Sequence, residues 1–90
     1  MINNTKKHAL ILKSVANDNR LKILTLLNEH ELCVGQLEKM LDLSQSALSQ
    51  HLAILRNNHI VKTRRVAQTI YYRLENNIVR EILKLLEQQK

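Results

Sequence analysis

The sequence predicts a mainly α fold closed by a small β-hairpin, and three observations carry that expectation. Apolar residues recur at three- and four-residue spacing through most of the chain. The period changes to two between Val61 and Leu74. The periodic segments are separated by short polar joints such as Asn17-Asp18-Asn19 and Asn57-Asn58, with no proline and one glycine in the whole chain. No linker or low-complexity segment divides it, so residues 1–90 are expected to form a single small domain.

The elements follow in order. Thr5 to Ala16 sets Leu10, Leu12, Val15 and Ala16 among lysines, as a short amphipathic helix does. Asn17-Asp18-Asn19 offers a cap to a second helix, Arg20 to Glu29, carrying Leu21, Ile23, Leu24, Leu26 and Leu27. Val34, Leu37 and Leu41 mark a third, Val34 to Leu41. Ser44 caps the fourth, in which Leu48, Leu52 and Leu55 form one apolar stripe. Turning that stripe inward leaves Gln45, Ser46, Ser49, Gln50 and Ala53 outside. Two half-buried antiparallel strands come next, Val61 to Arg65 and Ile70 to Leu74. Their join, Val66-Ala67-Gln68, lacks the usual hairpin residues and predicts a flexible loop of about three to five residues. Asn76-Asn77 starts a last helix, whose Ile78, Val79, Ile82, Leu83, Leu85 and Leu86 cover more arc than one neighbour can bury. That surplus, in a chain without Phe or Trp, predicts a second subunit.

Composition narrows the function. At 44% apolar and 24% charged residues the chain is an ordinary globular protein, without an apolar run long enough for a membrane span. Met1 to Lys7 has no secretory apolar stretch and one cysteine cannot form an internal disulfide, so a cytoplasmic protein is expected. No glycine-rich phosphate loop or Cys/His cluster is present. Ser46, Ser49 and His51 are near in sequence but lack an orienting carboxylate, so neither an enzyme nor a cofactor is expected. His8, His30, His51 and His59 are scattered without ligand spacing, which argues for solvated or packed histidines rather than a metal site.

Charge points to the partner. The formal net charge is +6, and Leu43 to Leu74 carries Arg56, Lys62, Arg64, Arg65 and Arg73 without one carboxylate. Two short helices meeting at Asp42-Leu43-Ser44, followed by a basic hairpin, make a winged helix-turn-helix. The outward face of the fourth helix is small, polar and uncharged, suited to a major groove about 12 Å wide. Solvated helix faces usually carry Lys or Glu, and this one carries neither. A winged helix used as a protein-interaction module is the competing reading, and it predicts an apolar or mixed-charge face instead. Arg56 and Arg73 are expected to be peripheral or structural. His51 borders the apolar stripe, where its ring can pack under the helix, touch a phosphate or do both.

Several runs carry a resemblance: Asn19 to Leu27, Glu31-Leu32-Cys33-Val34-Gly35-Gln36-Leu37, Leu43-Ser44-Gln45-Ser46-Ala47-Leu48-Ser49-Gln50-His51-Leu52 and Ala67-Gln68-Thr69-Ile70-Tyr71-Tyr72. Over about residues 10 to 88 the chain resembles the ArsR/SmtB family of bacterial repressors, most closely the branch that includes the HlyU and BigR regulators. The resemblance implies a homodimer joined through its first and last helices, bound to a pseudo-palindromic double-stranded operator and blocking transcription; relief of another repressor's silencing also occurs in this branch. It places DNA contacts on Gln45, Ser46, Ser49 and Gln50, with Lys62, Arg64 and Arg65 gripping phosphate or the adjacent minor groove.

The sensing positions depart from the family's. Metal-sensing members have Glu-Leu-Cys-Val-Cys where this chain has Glu31-Leu32-Cys33-Val34-Gly35, and the last helix has none of the Asp and His ligands of the other family site. The HlyU and BigR relatives pair a cysteine at the Cys33 position with one in the last helix, which is absent here. Cys33 is thus a candidate redox thiol, ahead of a helix N-terminus that can favour its thiolate, or a small packed hydrophobe between Leu32 and Val34. The residues name no inducer.

Overall fold

The computed structural model describes residues 4–89; Met1, Ile2, Asn3 and Lys90, the ends of the expected domain, lie outside the described residues. The elements run α1 (Thr5–Val15), α2 (Asp18–Glu29), β1 (Leu32–Cys33), α3 (Val34–Met40), α4 (Gln45–Asn57), β2 (Val61–Val66), β3 (Thr69–Leu74) and α5 (Asn77–Glu87). This is the expected winged helix, with α1, α2 and α3 within two residues of their sequence-based bounds. Three helices open on side-chain caps that satisfy amides left over at a helix start. Asn17 Oδ1 accepts from the Arg20 amide at 3.0 Å, Ser44 Oγ from Ala47 at 3.1 Å and Asn76 Oδ1 from Val79 at 3.1 Å. A cap of this kind stabilises by about 1 kcal/mol.

Helix α4 stops sharply. His59 takes the left-handed conformation, φ 58°. Its amide donates to the Arg56 carbonyl at 3.1 Å and that of Ile60 to the Leu55 carbonyl at 2.9 Å, the paired bonds of a Schellman stop. Leu55 and Ile60 are both fully buried, so the turn that ends α4 is anchored in the core and β2 begins directly behind it. Asn58 Nδ2 donates to Ser14 Oγ at 2.7 Å, and Ser14 Oγ donates to the Leu10 carbonyl at 2.8 Å, tying α1 to the same place.

The sheet differs from the expected pair of strands. It has three, in the order β1-β3-β2, both pairings antiparallel. Strand β1 is two residues long, with Leu32 opposite Tyr72 and Cys33 opposite Tyr71. Two residues are too few to show a period, and their pairing is decided by a strand far along the chain. The hairpin also departs from a flexible loop. Val66 pairs with Thr69, leaving only Ala67 and Gln68 in the turn, with Ala67 at φ 56°. A left-handed residue there matches the twist of the two strands, and the ladder holds alanine where glycine is preferred. Ala67→Gly should therefore raise stability by about 0.5–1 kcal/mol, a few degrees in thermal midpoint. An unchanged or lower melting temperature contradicts that strain.

The core is aliphatic. Ile23, Leu24, Leu37, Leu48, Leu55, Ile60 and Val79 are fully buried, with Leu52, Val61 and Leu74 nearly so. The Leu48, Leu52 and Leu55 stripe therefore turns inward as expected. Helix α5 splits its apolar arc: Val79 and Leu83 are buried within the subunit and Ile82 packs against them, while Ile78, Leu85 and Leu86 are exposed. Leu10 and Leu12 on α1 are exposed as well, and Leu12 and Ile78 line one shallow hollow with His8 and Ile11.

Candidate nucleic-acid interface

Helix α4 is held by its buried stripe, its Ser44 cap and a contact on its flank. Arg20, in the first turn of α2, donates from Nε to the Ser14 carbonyl at 2.7 Å and from NH2 to the Lys13 carbonyl at 3.3 Å. Its NH1 lies 3.3 Å from His51 Nδ1. A guanidinium only donates, so Nδ1 is the acceptor and the ring proton sits on Nε2. His51 is half-buried, and burial, followed by the Arg20 charge, lowers its pKa below the ordinary 6.5. The ring takes up the packing role open to it in the sequence, as a neutral spacer between α2 and α4.

That lowered pKa has a sign. The unfolded chain binds a proton at His51 more readily than the folded one, so stability rises with pH across this titration. His51's contribution is complete above about 6.5 and is lost as pH falls through that value toward the lower folded one. Thermal melts between pH 7.5 and pH 5 should show a larger loss for the parent than for His51→Gln. Equal losses contradict the lowered His51 pKa.

Gln45, Ser46, Ser49, Gln50 and Ala53 are all exposed on one side of α4. They form a continuous strip of short amide, hydroxyl and methyl groups. Such groups can donate to and accept from base edges, and they leave the helix thin enough to enter a groove. The chain enters α4 from α3 through Leu41 to Ser44, with Leu41 and Leu43 packed against the core.

On the wing the acid-free block of the sequence is not acid-free in space. In the sheet, Arg64 of β2, Tyr71 of β3 and Cys33 of β1 form one row across the strands. The Arg64 side chain passes over the Tyr71 ring, 5.1 Å from its centroid, and reaches Glu31 just before β1. Both Nε and NH2 of Arg64 lie 2.8 Å from Glu31 Oε1. That hydrogen bond and charge raise the Arg64 pKa further. Arg73 lies 3.9 Å from Glu31 Oε2 and 3.5 Å from Glu75, and Lys62 lies 3.6 Å from Glu75. Arg73 is thus paired with a carboxylate on either side. Of the three wing cations singled out in the sequence, Arg65 alone has no carboxylate partner among the described residues; its Nε donates to the Ala67 carbonyl at 3.2 Å.

Cys33 is half-buried as the N-cap of α3, and Gln36 Oε1 accepts its amide at 2.9 Å. A Cβ built on Gly35 would stand 4.0 Å from Cys33 Sγ. A thiol at position 35 would therefore neighbour Cys33, and glycine leaves that place without a second sulfur. Among the described residues no group of three or more His, Cys, Asp or Glu could hold a metal ion, and no helix is long and apolar enough to cross a membrane.

The model of the bacterial regulatory proteins of the arsR family matches residues 17–63, more than half of the chain, from the cap of α2 through the start of the wing. The chain belongs to the ArsR family. Within the family it is 49% identical over 86 residues to the transcriptional activator HlyU of Vibrio cholerae, covering 96% of this chain and 80% of that protein. It is 41% identical over 78 residues to the biofilm growth-associated repressor of Agrobacterium fabrum, covering 87% and 67%. The solved structure of HlyU from Vibrio cholerae superposes with a TM-score of 0.91 at 48% identity, covering 98% of this chain and 96% of that one. As an ArsR-family member the chain is a DNA-binding transcriptional regulator of the HlyU and BigR branch, and not an enzyme.

Arg20, Glu31, Tyr71 and Glu75 are the site's residues that sequence reasoning missed. Each acts through a contact fixed by the fold. Arg20 meets a residue 31 positions away and Glu31 one 33 away, separations that leave no mark in local periodicity.

Proposed function

We propose that this ArsR-family protein acts in the cytoplasm as a homodimer, joined through α1 and α5, that binds a pseudo-palindromic operator and represses by blocking promoter access. The α4 of each subunit reads bases in the major groove with Gln45, Ser46, Ser49 and Gln50. Lys62, Arg64 and Arg65 of the wing lie along the adjacent backbone or minor groove. The observation that carries this reading is the exposed, uncharged polar strip on α4 beside a basic wing. A protein-docking face calls for apolar or mixed-charge residues, which that strip lacks. The exposed Leu10, Leu12, Ile78, Leu85 and Leu86 support the dimer, since apolar residues grouped on adjoining helices are favoured under a second subunit. Retention on heparin and on duplex DNA over a rising salt gradient tests it. Salt-sensitive retention on both, stronger on duplex, is expected; elution from both at low salt contradicts it.

The Vibrio relative's name, an activator, supports a second outcome from the same DNA contact, in which the dimer displaces another repressor. A promoter reporter with and without the protein separates the two by the sign of its response.

Cys33 caps and packs in this reading, without a switching role. A strap between β1 and α5 needs a second thiol that the chain lacks. Cys33→Ser should bind duplex DNA as the parent does, and polysulfide should change parental affinity by less than about threefold, under 1 kcal/mol. A large loss on treatment, absent from Cys33→Ser, makes Cys33 a single-thiol switch.

A further inference from the structure

We propose that Glu31 competes with DNA phosphate for Arg64, and so limits how many phosphates each wing neutralises. The inference rests on the DNA-binding reading above and adds a residue that tunes its electrostatic part. Three features of Arg64 support it. Its Nε and NH2 both lie 2.8 Å from one oxygen of Glu31. Its guanidinium lies over the face of Tyr71 at 5.1 Å, so its course across the sheet is set by the ring as well as the charge. Arg73 shares the second oxygen of Glu31 at 3.9 Å, which places one carboxylate between two cations.

The Glu31 side chain is 26% exposed and Arg64 is 52% exposed, so water and salt reach the pair. A phosphate can therefore replace the carboxylate, but only by giving Arg64 back what it already has. The exchange gains little, since one anion is traded for another and the stacking on Tyr71 is at stake. Arg65 has no such partner among the described residues. It neutralises phosphate without an exchange, and the two neighbouring arginines are unequal in consequence.

The charge bookkeeping gives a measurable signature. Each phosphate that a cation neutralises releases condensed counterions, and the logarithm of the binding constant falls with the logarithm of salt by about 0.9 per contact. Removing the Glu31 charge frees Arg64 in each subunit, so a dimer should gain about two contacts' worth of slope. The gain does not depend on sequence, since phosphates carry none of it.

The test is a set of salt titrations on one random-sequence duplex. The proteins are the parent, Glu31→Gln, Glu31→Ala, Arg64→Ala, Arg65→Ala and Glu31→Gln/Arg64→Ala, with Glu29→Gln as an equal change of charge elsewhere. Glu29 is exposed and is not among the residues paired with a wing cation. Both Glu31 variants should bind about threefold or more tightly at 0.1 M salt, with a slope steeper by one to two. Glu29→Gln should change both much less. Arg64→Ala should shift the parent less than about twofold yet remove most of the gain in the Glu31→Gln background, while Arg65→Ala flattens the slope in the parent itself. The proposal is overturned if the Glu31 variants bind no more tightly than Glu29→Gln, or if Arg64→Ala flattens the parental slope as much as Arg65→Ala. A parent that binds no duplex at any salt removes the DNA-binding reading instead, and this inference with it.

Discussion

Leu86→Glu should sediment as a folded monomer at concentrations where the parent sediments as a dimer, whereas Leu83→Glu should not fold. The two residues are neighbours on α5 and were equivalent in the sequence, but Leu86 is 52% exposed and Leu83 only 8%. A carboxylate at position 83 enters the subunit's own core, at a cost of several kcal/mol against a small domain's total. At position 86 it meets water in the monomer and would be buried only in the proposed dimer through α5, so the whole cost falls on association. The consequence for DNA is large. On the proposed pseudo-palindromic operator a monomer would hold one half-site, and losing the tethered second one should weaken binding by about 10²- to 10⁴-fold. Sedimentation of Leu86→Glu as an unaltered dimer, or normal folding of Leu83→Glu, contradicts the assignment of these two faces.

Gln45→Ala, Ser49→Ala and Gln50→Ala should each reduce the gap between operator and random DNA by about 1–3 kcal/mol, the discrimination that one base-reading pair supplies. Their side chains are exposed on α4 and their removal leaves the Leu48, Leu52 and Leu55 stripe untouched, so thermal stability should stay near the parent's. Arg65→Ala should differ in kind, weakening binding to all sequences and flattening the salt dependence. Equal losses on operator and random DNA from the α4 variants would show that the helix only positions the protein and that sequence is read elsewhere.

What was legible in the sequence is what short-range pattern controls. The stripe of α4, its Ser44 cap and its uncharged outer strip follow from spacing within 13 residues, and the structure has them in those places. The excess apolar arc of α5 was legible too, though its division between core and surface was not. Periodicity marks which residues avoid water without saying which neighbour covers them. Strand β1, the Glu31 contact and the Arg20–His51 contact were out of reach because each joins segments more than 30 residues apart. Counting charge along the chain had the same weakness. The block from Leu43 to Leu74 has no carboxylate of its own, yet Glu75, just outside it, and Glu31, on the far side of α3, fold onto its cations. The tight hairpin was missed for a different reason, since Ala67 holds a left-handed conformation that composition assigns to glycine or asparagine.

Selection of bound fragments from a pool of random duplexes, run with the parent and with Gln50→Ala, tests the central claim most directly. The parent should enrich a motif of two inverted half-sites whose centres are about one helical turn apart, one for each α4. Gln50→Ala should enrich the same spacing with one position in each half-site relaxed. Enrichment of a single half-site, of no motif, or of an identical motif by both proteins would contradict a dimer that reads bases with this face of α4.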